Sequence, residues 1–136
     1  GGVVRSYLDE MAALEAPLAQ SDDPRFAVMR DALAPAVAAL REATEWLITC
    51  DDPNDRLAGA SPYLDMSGIV AGGGYLIRMA LAAAAEERDP WIDAKIDTAA
   101  FYAHQILPRA AGWLSSSTAG ASELFAIPVD GLEAAK

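Results

Sequence analysis

Apolar residues recur every three to four positions along most of the chain. Val4, Tyr7, Leu8, Met11, Leu14 and Leu18 mark a first stretch. Phe26, Met29, Leu33, Val37, Leu40, Thr44 and Leu47 mark a second, and Ile92, Ile96, Ala99, Ala103, Ile106, Ala110 and Leu114 another near the end. Such spacing lays one stripe along a helix and predicts burial of that stripe. Three acidic clusters, at 22–24, 51–53 and 89–90, separate the stretches. In each an Asp precedes a Pro, the order of an N-cap followed by the first helical position.

These marks predict an all-α fold, an antiparallel bundle of about four long helices with a short C-terminal helical piece, since short turns return each helix beside its predecessor. The third stretch, about 53 to 87, contains Pro62, so a break or kink is expected near Gly59 to Pro62; Pro108 should bend the last turns of the fourth, about 90 to 116. Pro35 also falls inside a predicted helix. A weak zone at Ser115–Thr118 and Gly120 precedes the short apolar piece Leu124 to Ile127. Residues 3–127 are taken as one bundle and 128–136 as a polar tail; Gly1 and Gly2, read as an expression scar, are left out.

Composition strengthens the helical reading. There are 30 Ala against 13 Val plus Ile, and Ala loses least on entering a helix whereas β-branched residues favour strands. Twenty acidic against ten basic residues give a net charge of -10, which argues against nucleic acid or an anionic membrane surface as partner. The lone Cys50 cannot form an internal disulfide and no basic-then-apolar leader opens the chain, so a cytoplasmic location is expected. Met66 to Ala85 is long enough to span a membrane with Arg78 as its only charge, but four glycines and a serine dilute it and Glu86–Asp89 gives no positive-inside signal; a buried helix is expected.

The oddest segment is Ser67-Gly68-Ile69-Val70-Ala71-Gly72-Gly73-Gly74-Tyr75. Each glycine costs a helix about 1 kcal/mol relative to Ala, so something must offset it. Gly68 and Gly72 stand four apart, as do Ser67 and Ala71, which suits close packing against a backbone or a ring; Trp46, Trp91, Tyr102 and Trp113 are the candidate rings. A phosphate cradle is the other possibility, but neither GxGxxG nor GxxxxGK[ST] is present and no Val- or Ile-rich strand precedes it.

No residue type set points to catalysis. His104 is alone, with no Asp or Glu three or four residues away, and reads as structural. Cys50, beside Asp51 and Asp52, reads as a small apolar residue, and Ser115–Ser117 lack a GxSxG setting. The pairs Glu42 with Glu45, Glu86 with Glu87 and Asp51 with Asp52 read as solvated charges. Arg78 and Lys95 lie in apolar stretches; either Asp65 and Asp97 are their partners or both side chains reach out to solvent. No catalytic, cofactor-binding or metal residue is therefore assigned.

Taken in order, Tyr63-Leu64, Gly68, the small-residue run to Gly74, Arg78-Met79-Ala80, Lys95, Ala99-Ala100-Phe101-Tyr102 and Leu107-Pro108 resemble the C-terminal domain of long-form acyl-CoA dehydrogenases, the group that includes methylthiopropanoyl-CoA dehydrogenase-like enzymes. The resemblance covers roughly residues 5 to 127. It implies a parent enzyme that removes two hydrogens from the α and β carbons of an acyl-CoA thioester and passes a hydride to FAD, with a glutamate base outside this chain. It implies for this piece an accessory role, packed on the dehydrogenase core of the same chain or of a dimer mate, in a homo-oligomer. An exposed apolar patch is then expected where the core docks. The alternatives are an independent bundle with a ligand pocket at the glycine-rich face and a protein-interaction module for an unrelated partner.

Overall fold

Each Asp–Pro pair opens a helix. In a computed structural model that describes residues 1–133, the Asp23 carboxylate accepts from the Arg25 amide, Asp52 from Asn54, and Asp89 from both Trp91 and Ile92. These bonds satisfy first-turn amides that have no partner inside the helix. The three helices they start are α3 (Pro24–Thr49), α4 (Pro53–Ala84) and α5 (Pro90–Gln105). Ahead of them lie α1 (Gly2–Ala12) and α2 (Glu15–Ala19); behind them α6 (Arg109–Gly112), α7 (Leu114–Thr118) and α8 (Val129–Glu133). No strand occurs among the described residues.

The fold is an all-α bundle with α4 at its centre, flanked by α3, α5, α6 and α7. Arg5 reaches Glu45 and Asp9 reaches Arg41, so α1 runs antiparallel along α3. The predicted stripes are buried: Leu8, Met11 and Leu18 from α1 and α2, Phe26, Met29, Leu33, Val37 and Leu40 from α3, and Ile92, Ile96, Ala99 and Ala103 from α5. They meet Met66, Val70 and Ile77 of α4. By length and composition α4 could cross a membrane; here its buried residues face the neighbouring helices.

Proline placement departs from expectation in three places. The first stretch is interrupted at Ala13–Leu14, because Pro17 has no N–H to give the Ala13 carbonyl, and Leu14 bonds instead to Met11 at 3.2 Å. The break expected at Gly59–Pro62 is absent: α4 runs on through Pro62, as α3 does through Pro35. A mid-helix proline removes one bond at a cost of about 3 kcal/mol, and the buried residues on both sides, Gly59 and Met66 in α4, hold the two halves against their neighbours. Pro108 does more than bend its helix. α5 stops at Gln105, the Ile106 and Leu107 amides both bond the Tyr102 carbonyl, and Pro108 caps the separate α6.

Gly120, with φ 74°, ends α7 in the left-handed conformation that favours glycine. A side chain there would also meet the Asp55 carboxylate, which accepts from the Ala121 amide at 2.7 Å. The apolar piece Leu124 to Ile127 forms turns, and its large side chains are exposed. Of the tail 128–136, α8 is exposed and the last three residues lie outside the described residues.

Candidate functional site

The glycine run is a packing seam. A Cβ on Gly72 would lie 2.6 Å from the Tyr102 hydroxyl oxygen, one on Gly73 would lie 2.8 Å from Leu107 Cδ1, and one on Gly74 would collide with Met11 Sδ. α5, the turn before Pro108, and α1 thus each use one of three successive glycines. Gly68 takes no part, since nothing lies within 4 Å of its missing side chain. Of the four candidate rings only Tyr102 enters the seam; Trp91 is 69% exposed. An unforeseen glycine contact joins Gly59 to the Ser117 carbonyl of α7.

This arrangement leaves no cradle for a phosphate. Gly68 to Gly74 lie in the interior of an unbroken helix, where their N–H groups serve the backbone ladder. Nor is the glycine face open to a small ligand, because Tyr102, Leu107 and Met11 fill it. The Tyr102 hydroxyl donates to the Ile69 carbonyl at 3.0 Å, and burial pushes its pKa up. Thr44 makes the corresponding link between α3 and α4, donating to the Leu40 carbonyl and lying 2.9 Å from the Tyr63 hydroxyl.

His104 is exposed and bonds only its neighbour Gln105, so it is not the structural histidine expected. Cys50 is half-buried, with Sγ 3.6 Å from the Asp52 carbonyl. Ser117 is buried and donates back to Trp113. Glu86, Glu87, Asp51, Asp52 and Glu42 are exposed as expected, but Glu45 holds Arg5 in a two-pronged pair at 2.7 and 2.6 Å. Among the described residues no group of His, Cys, Asp and Glu is placed to hold a metal ion.

Of the two alternatives for Arg78 and Lys95, pairing with Asp65 and Asp97 does not occur. Arg78 pairs with Glu10 at 3.3 Å and lies over Tyr75, and Lys95 lies over Trp91 at 5.5 Å from the ring centre. Asp97 instead serves Arg25, which also holds Asp23 and Asp93. This cluster was not foreseen; Asp93 and Asp97 stand one turn apart on α5, but nothing in the spacing selects a cation on α3. Hydrogen bonds from Arg25 hold the Asp23 and Asp93 carboxyls below their usual range, and those carboxylates raise the Arg25 guanidinium.

The surface carries a second pattern. Leu57, Leu64 and Tyr75 of α4 are 72%, 71% and 64% exposed, with the exposed Ser61 and Gly68 between them. Leu57, Leu64 and Tyr75 stand whole numbers of helical turns apart and so lie on one face of α4. Leu124, Phe125, Ile127, Val129 and Leu132 are exposed as well.

The described residues thus form a helical bundle with a closed glycine seam and an apolar stripe exposed on α4. Residues 7–128 match the family described as acetyl-CoA dehydrogenase C-terminal like, and the chain belongs to that family. It is thus an accessory domain of the acyl-CoA dehydrogenase kind. No curated protein and no solved structure matches the chain.

Proposed function

We propose that this chain is the non-catalytic C-terminal assembly domain of an FAD-dependent acyl-CoA dehydrogenase, acting in the cytoplasm within a homo-oligomer. The observation that carries the proposal is the α4 stripe of Leu57, Leu64 and Tyr75, left in water on a domain whose family is attached to such enzymes. In this reading the dehydrogenase core of the same chain or of a dimer mate covers it. The oxidation of acyl-CoA to the 2,3-enoyl thioester belongs to that core. So does the flavin, because the glycine run offers its pyrophosphate no free amide donors. Placement in the methylthiopropanoyl-CoA dehydrogenase-like group rests on the sequence resemblance.

The test is FAD-coupled acyl-CoA oxidation by the full-length gene product, intact and with this domain deleted, while light scattering follows assembly. Oxidation that survives deletion with altered assembly supports the reading. Loss of oxidation at unchanged assembly would place the domain in the active site, and an inactive full-length protein would reject the parent enzyme altogether.

A further inference from the structure

We propose that the groove between α1–α2 and α3 seats an amphipathic helix of the dehydrogenase portion, bearing basic residues on both flanks. The identity of the partner rests on the proposed function; its chemistry rests on the groove. The groove has a volume of about 430 Å³ and lies beside the Ala13–Leu14 interruption. Leu33, Ala34, Val37 and Ala38 make its apolar surface on α3, and Ala12 contributes from α1. Ala34 and Ala38 are exposed and stand one turn apart, so a second helix can approach closely.

Its charges select the occupant. The cations beside it are already engaged, Arg41 by Asp9 at 2.8 Å and Arg5 by Glu45. Glu15 and Glu42, which also line it, have no cation within ion-pair distance among the described residues. Glu15 lines the groove from α2 and Glu42 from α3. A helix with Lys or Arg on both sides of its apolar ridge answers both carboxylates. A second copy of this chain, with its net charge of -10, is repelled by these carboxylates on average.

The full-length gene product carrying p-benzoylphenylalanine at position 38 tests this, and position 34 serves as a repeat. Irradiation should yield one cross-linked peptide from outside residues 1–136, helical, with an apolar ridge and two basic flanking residues. The pair Glu15→Lys and Glu42→Lys should cut its yield about tenfold at unchanged thermal melting, and acidic substitutions at the two partner cations should restore it. Cross-links confined to residues 1–136 of either copy, a cross-link to an acidic segment, no cross-link, or a yield indifferent to charge reversal would each overturn the proposal. FAD-coupled oxidation by the same preparation separates the two readings: an active enzyme without the cross-link rejects only the groove, and the basic-helix cross-link in a protein without flavin chemistry rejects only the parent enzyme.

Discussion

The Tyr102 hydroxyl stands where a side chain on residue 72 would begin: a Cβ there would lie 2.6 Å from it, while the hydroxyl donates 3.0 Å to the Ile69 carbonyl one turn back on α4. Glycine and phenol are therefore one unit. Gly72→Ala gains about 1 kcal/mol of helix propensity but overpacks the seam at a cost of about 1–3 kcal/mol. A net loss near 1 kcal/mol is expected in urea denaturation. Tyr102→Phe alone should lose about 1 kcal/mol with the hydrogen bond. The double variant should lose less than the sum, because the phenyl ring leaves room for the methyl group; strict additivity would show that the two residues are not coupled.

Glycines of one helix should respond in opposite directions. At Gly59 an added Cβ meets the Ser117 carbonyl, a backbone atom that cannot rotate away, whereas at Gly68 it meets nothing. Gly59→Ala should lower the thermal midpoint by several degrees, corresponding to about 1–3 kcal/mol. Gly68→Ala should raise stability by about 0.5–1 kcal/mol.

The Arg25 cluster sets an acid limit. Asp23 has a folded pKa below its unfolded value, chiefly because Arg25 donates to it. Its contribution is fully present above the unfolded value of about 4 and is lost as pH falls through the depressed folded value. Asp23→Asn keeps an N-cap that can accept from the Arg25 amide but removes the charge. Denaturation midpoints measured from neutral pH downward should fall less steeply in this variant than in the parent, and equal slopes would assign acid sensitivity elsewhere.

Tyr7 carries the one buried side-chain polar atom without a hydrogen-bond partner among the described residues, its hydroxyl, and burial raises its pKa. Removing an unsatisfied hydroxyl relieves a penalty of about 1 kcal/mol or more. Tyr7→Phe is expected to be neutral to stabilising in a thermal melt, and a clear loss would reveal a bond to solvent.

Local signals made most of the fold legible. The Asp–Pro caps act within three residues, and the stripes from Val4 to Leu18 and Phe26 to Leu47 repeat at helical spacing, so both could be read before any tertiary contact was known. What depends on distant residues could not. Spacing does not tell that Tyr102 alone of four rings meets the glycines, or that Asp97 answers Arg25 rather than Lys95. Pro62 and Pro108 look alike in sequence, and spacing alone does not tell that α4 runs on through the first whereas α5 stops short of the second. The acidic groove escaped notice because it forms only where α1 stops short along α3.

The contact of Gly59 with Ser117 also orders the assembly of the chain. α3, α4 and α5 are successive neighbours joined by short turns and can pair by local search, but α7 must return to the first half of α4, across the whole of α5. The notch it fills exists only after α3 and α4 have met. Long-range closure of this kind comes late and reopens easily. Residues 114–118 should therefore close the fold last and exchange their amide hydrogens ahead of α3, so that α7 works as a latch through which the bundle first opens.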